Sequence, residues 1–183
     1  MINSLTKQRG VYSIEFSIIG LVMGVLLVFT FDVVVKQSVK GKLDRLSYSA
    51  VSLLKERTQL YNESDVISPS EIDQLSLIVT ESLGRTWSNF EQSNFGIRFE
   101  QQKFVDGVAI VPVEDTHLFS RGDVGCTPEI ALNELTHLSP ETTFGRRATL
   151  YQITICYLSD NWIGELLSSN FRLVRSHSIM VGR

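Results

Sequence analysis

Apolar residues run almost unbroken from Val11 to Val35, then thin into a periodic stripe. Only Glu15 and Asp32 carry charge inside the run. A bilayer core of about 30 Å needs about 20 helical residues at 1.5 Å rise each. Residues 11–35 are therefore expected to form a transmembrane helix. From Lys36 the chain turns polar, but Val39, Leu43, Leu46, Ala50, Leu53, Leu54 and Leu60 recur at three- and four-residue steps. That spacing places them on one buried helix face. Gly41 weakens the helix by about 1 kcal/mol against Ala. The pattern predicts one nearly continuous helix from Val11 to about Tyr61, with residues 36–61 as its amphipathic continuation.

Residues 62–183 read as a globular domain. Ser68-Pro69-Ser70-Glu71 is a helix start: Ser68 caps, Pro69 suits the first position and Glu71 closes a capping box. Ile72, Leu75, Ile78, Val79 and Leu83 supply its buried stripe, and Gly84 is expected to stop it. Trp87 and Phe90 are expected to pack against the core. Phe95, Ile97 and Phe99 alternate with Gly96, Arg98 and Glu100, the period of a half-buried strand. Phe104-Val105, Asp106-Gly107 and Val108–Val111 form a hairpin signal. Residues 114–147 read as irregular, with a short helix around Glu129–Leu138. Leu150–Leu158 reads as a central strand, with Tyr151, Ile153, Ile155 and Tyr157 on one face. A last strand is expected from Phe171 to Val181. Helices first and strands later predict an α+β fold, with a small antiparallel sheet packed on the long helix.

The 183 residues leave room for one modest domain after the anchor. The balance of 17 basic and 20 acidic residues offers no basic excess, which argues against a nucleic-acid binder. No low-complexity tract or internal repeat stands out.

The start of the apolar run carries the functional signal. Gly10 separates a leader holding Lys7 and Arg9 from the run, and Glu15 is the fifth residue after it. A charge at the centre of a membrane helix costs about 2.5–3.5 kcal/mol on insertion scales, and less near the interface. Glu15 is therefore either tolerated at headgroup depth or matched by a cation in an assembled state. The segment Arg9-Gly10-Val11-Tyr12-Ser13-Ile14-Glu15-Phe16 resembles the leader of the TadE/TadF pseudopilins of the tight-adherence (Flp, type IV) pilus system, TadF more closely. Ordinary type IV pilins usually have Phe after the Gly. Val11 stands there in this chain, which favours a Tad-type minor subunit.

The resemblance implies cleavage after Gly10 by a membrane-embedded prepilin peptidase, removing residues 1–10. Loss of Lys7 and Arg9 would leave 15 basic against 20 acidic residues, a balance of −5. It also implies that the new amino terminus of Val11 faces Glu15 of a neighbouring subunit. The implied partners are the peptidase, other pilins and pseudopilins, and the inner-membrane assembly platform. The implied location is the bacterial inner membrane, possession of a single span giving a cytoplasmic N-terminus and a periplasmic domain, with a role in adhesion. Lys36, Lys40, Lys42 and Arg45 beyond the span run against that orientation under the positive-inside rule.

In that orientation the only two cysteines, Cys126 and Cys156, lie in an oxidising compartment, where two exported cysteines usually pair. The other reading is two buried thiols. Gly20 and Gly24 form a GxxxG within the span, which serves close helix packing or reflects membrane-helix composition alone.

Little else points to chemistry. His117, His137 and His177 have no helical metal spacing. Asp106, Glu114, Asp115 and Asp123 lack calcium-loop spacing. No nucleophile elbow, P-loop or dinucleotide fingerprint occurs. No enzymatic role, metal or cofactor is expected. The alternative to a pilus subunit is an uncleaved, single-pass periplasmic sensor or scaffold, with Glu15 merely interfacial.

Overall fold

The computed structural model describes residues 8–60, 67–105, 107–109, 117–142, 145–160 and 172–182, with side chains of the first helix described from Tyr12 to Glu56. That helix, α1, runs Gln8–Leu60 over 53 residues, about 80 Å at 1.5 Å per residue. Its face towards the domain is Val39, Leu43, Ser47, Ala50, Val51 and Leu54, all buried. One expectation shifts here. Leu53 is 48% exposed, and its place in the stripe is taken by Val51. Ser47, a polar residue, is fully buried. The expected Leu60 lies outside the described side chains.

A second helix, α2, spans Pro69–Thr86. Its capping box is formed: the Ser68 N–H donates to Glu71 Oε2 at 2.8 Å, and the Glu71 N–H donates to Ser68 Oγ at 3.3 Å. Ile72, Leu75, Val79 and Leu83 are buried, whereas Ile78 faces out. The helix passes through Gly84 instead of stopping there. It ends when Trp87 turns extended and its N–H reaches the Leu83 carbonyl at 2.9 Å. A single Gly costs only about 1 kcal/mol in a helix, which packing on either side outweighs.

Among the described residues six strands follow: β1 Phe95–Gln102, β2 Phe104–Val105, β3 Val108–Ala109, β4 Leu118–Gly122, β5 Leu150–Leu158 and β6 Leu173–Val181. β2 and β3 pair as the expected hairpin, a small sheet of their own; Asp106, Ile110 and Val111 lie outside the described residues. The main sheet has the order β4-β1-β5-β6 and is antiparallel throughout. β5 is central, as its apolar run predicts. β4 falls in the stretch expected to be irregular. The expected helix at Glu129–Leu138 is a 3₁₀ segment at Leu132–Leu138. The expected start of the last strand at Phe171 lies outside the described residues.

Both helices pack on one sheet face. Phe95, Ile97, Phe99, Phe119, Tyr151, Ile153, Ile155 and Val174 meet Leu43, Val51, Leu54, Ile72 and Val79 in one core. β1 was expected to be half-buried, but seven of its eight residues are buried. The segment after β4 folds back over the outer sheet face. Cys126 and Cys156 are joined by a disulfide with Cα atoms 5.5 Å apart, Gln152 Nε2 donates to the Ile130 carbonyl at 3.3 Å, and Leu132 is buried. Gly96 is needed beneath this cover, because a Cβ there would run into the Val124 carbonyl.

Candidate anchor and assembly surface

The anchor half of α1 carries the unusual chemistry. Tyr12–Glu56 contains one helix stretch long and apolar enough to cross a membrane, and its apolar window is only 6% buried against the rest of the chain. Large side chains such as Phe16 and Leu27 project freely. A soluble helix this apolar would have to be buried; this one has no protein cover among the described residues. Two of its hydroxyls are satisfied within the helix: Ser17 Oγ donates to the Ser13 carbonyl and Thr30 Oγ1 to the Leu26 carbonyl, both at 2.8 Å. That pattern suits a medium that offers no hydrogen bonds.

The candidate residues sort onto two sides. Gly10 and Val11 lie within α1, their surroundings outside the described side chains. Glu15 projects from the helix, and no ion pair is formed by it among the described residues. A Cβ built at Gly20 or Gly24 meets nothing within 4 Å, so that flank is open. At about 100° per residue, Ser13, Ser17, Gly20 and Gly24 share one narrow face, and Glu15 stands on the opposite side. The two serines extend the GxxxG by two helical steps. The Ser-x3-Ser-x2-Gly-x3-Gly spacing could have been read from the sequence.

Charge returns where the domain begins. Lys36 Nζ holds Asp32 Oδ2 at 2.6 Å. Lys40 reaches Asp44 at 3.6 Å and the Arg175 carbonyl at 3.4 Å. Lys42 Nζ donates to the Thr86 carbonyl at 3.3 Å and lies 5.4 Å above the Trp87 ring. One turn further, Ser176 Oγ donates to Asp44 Oδ1 at 2.5 Å, and Ser47 Oγ lies 3.1 and 2.8 Å from the hydroxyls of Ser176 and Ser178. The upper half of α1 is thus bonded as well as packed to the sheet. The anchor and the domain form one continuous body.

Trp87, Phe90 and Tyr157 cluster beside this junction, with ring centroids 4.4 Å apart for Trp87–Tyr157 and 5.8 Å for Phe90–Tyr157. The expected packing role of Trp87 and Phe90 is realised there. Of the acidic loop residues, Asp106, Glu114 and Asp115 lie outside the described residues. Among the described residues, no three His, Cys, Asp or Glu side chains gather as metal ligands. His117 is displaced below its usual range by burial, with Lys103 adding to the effect.

A family model, TadF, described as "Putative tight adherence pilin protein F", matches residues 3–183. No curated protein and no solved structure matches the chain. The match spans both the bare apolar helix and the sheet domain fastened to it, so the resemblance at the leader extends over nearly the whole sequence. The chain belongs to the TadF family of tight-adherence pilin proteins.

Proposed function

We propose that the protein is a minor pilin subunit, cleaved after Gly10 by a prepilin peptidase and assembled into or beneath a tight-adherence pilus. The observation that carries this reading is the bare helix with Glu15 five residues beyond Gly10, continuous with a helix half locked to the domain. In the assembled state the freed amino group of Val11 is the partner of Glu15 on a neighbouring subunit. Two opposite charges meeting in a low-dielectric contact offset part of each other's burial. The small-residue face at Gly20 and Gly24 lies opposite Glu15, so it meets a different neighbour. Close approach of backbones there adds van der Waals contact.

The domain stands in the periplasm in this reading, with residues 11–35 as the single span. The disulfide supports export, since such bonds persist in oxidising compartments. The lysines beyond the span, which oppose this orientation by simple counting, are engaged by Asp32, Asp44 and backbone carbonyls. Those contacts give them a role in fixing the domain on the helix. The assembly platform and other pilins are the partners, and the exposed domain surface serves adhesion through them.

The test is the intact mass and N-terminal sequence of membrane-extracted protein from cells with and without prepilin peptidase. A chain beginning at Val11 only when the peptidase is present is the expected result. A chain beginning at Met1 in both strains would establish the uncleaved anchor instead, and Gly10→Val would then leave the protein unchanged.

A further inference from the structure

We propose that the groove between the anchor and the domain binds the ammonium headgroup of a phospholipid of the phosphatidylethanolamine type. The groove has a volume of about 550 Å³, with α1 from Phe31 to Val39 as one wall and the segment after α2 with the end of β5 as the other. Trp87, Phe90 and Tyr157 line it, together with the carboxylates of Asp32, Glu91 and Asp160; no Lys or Arg lines it among the described residues. Ring faces and carboxylates both attract a cation, and quaternary or primary ammonium groups are the ligands such walls recognise. Of these rings, Trp87 already holds a cation of the protein itself, Lys42. Asp32 is already paired with Lys36, so the carboxylates left to meet a headgroup are Glu91 and Asp160, which would repel an anionic one.

Position selects a lipid over a soluble amine. Within the 11–35 span, the twenty positions 12–31 match the hydrocarbon core, about 30 Å, and 32–35 fall at its edge. With that stretch in the bilayer, Asp32 and Val35 stand at the headgroup layer and the groove opens onto it. Trp and Tyr are enriched at this depth because their rings sit among headgroups. The acyl chains of a bound lipid would run down the bare face of α1, and its phosphate would remain in water. This site rests on the anchor reading of the proposed function.

The test uses full-length, membrane-extracted protein in nanodiscs of equal phosphatidylethanolamine and phosphatidylglycerol, with native mass spectrometry of the lipid retained. The expected result is about a threefold to fivefold preference for phosphatidylethanolamine. Glu91→Gln combined with Asp160→Asn should bring the ratio close to one, and Asp123→Asn should leave it unchanged. Both exchanged carboxylates are exposed, so the fold is kept, as an intact disulfide and unchanged circular dichroism would verify. Flotation with vesicles is measured on the same samples. Protein that does not float overturns the anchor reading and the site together. Protein that floats but retains both lipids equally overturns the headgroup site alone, as does a preference that survives the double variant. Retention of a second copy of the chain in place of lipid assigns the groove to a neighbouring subunit and also overturns the site.

Discussion

Glu100 lies on the outer face of the sheet with its side chain 5% exposed, 3.1 Å from Arg98 Nε. Burial pushes its carboxyl above the usual range, and the Arg98 guanidinium and a backbone contact at Leu132 pull it only part of the way back. The folded protein therefore holds this proton more tightly than the unfolded chain. The group's stabilising contribution is present at low pH and is lost as pH rises from the ordinary carboxyl range through the raised folded value. Glu100→Gln cannot ionise and escapes that loss. Its melting temperature relative to the parent should climb between about pH 4 and pH 7, read by thermal denaturation in detergent with the disulfide intact. A gap that stays constant across that range would show that Glu100 is not destabilised by its surroundings. Ser47 is the second informative residue. Its hydroxyl bridges those of Ser176 and Ser178 inside the core, so Ser47→Ala should cost about 1–2 kcal/mol in urea denaturation. A change near zero would mean that the sheet hydroxyls re-pair among themselves. Ser47 was not legible in the sequence, because apolar periodicity selects Leu46 and Leu53 and passes over a serine. Within α1 it reaches only the Asp44 carbonyl, and the arrival of β6 adds the hydroxyls of Ser176 and Ser178.

At the scale of the element, local signals were legible and long-range ones were not. The capping box at Ser68 and Glu71, the central strand at Leu150–Leu158 and the long helix are each written in adjacent residues. β4 was missed because Leu118–Gly122 is short and its pairing partner, β1, lies some twenty residues upstream. The burial of β1 on both faces depends on the returning segment held by Cys126 and Cys156, which β1 itself does not encode. The face of α1 shows the same division: the periodicity marked the helix and most of its stripe, yet tertiary contact decided between Leu53 and Val51. The difference is measurable. Leu43 is fully buried and Leu53 is half-exposed, so Leu43→Ala should cost about 2–5 kcal/mol, and Leu53→Ala should stay within about 0.5 kcal/mol. Equal costs in denaturant titrations would mean that the helix is rotated from this arrangement.

The whole molecule couples a membrane element to a domain that cannot dispense with it. The Gly10–Glu15 spacing, on which the proposed cleavage rests, lies within six consecutive residues and needs no fold to be seen. The groove was not, because its walls come from Phe31–Val39, Trp87–Asn94 and Tyr157–Asp160. The core shows where the chain can be divided. Val39, Leu43, Val51 and Leu54 lie against the sheet and α2, and burying such side chains contributes about 1.5–3 kcal/mol each. Their sum, on the order of 6–12 kcal/mol, is comparable to the whole stability of an ordinary domain, about 5–15 kcal/mol. A chain of residues 36–183 should therefore be soluble without detergent, with the Cys126–Cys156 bond formed and the amides of β5 protected from exchange. A chain of residues 56–183 should aggregate or lose that protection, since Tyr151, Ile153 and Ile155 would be left uncovered. Gel filtration and amide exchange distinguish the outcomes. Cooperative folding of the shorter chain would mean that α1 merely leans on the domain, and insolubility of the longer one would place the end of the span beyond Val35. If both behave as expected, a displacement of the anchor is carried into the sheet through Leu43 and Ser47 without an intervening hinge, the rigid coupling a subunit needs when its helix is packed among neighbours and its domain is presented outside.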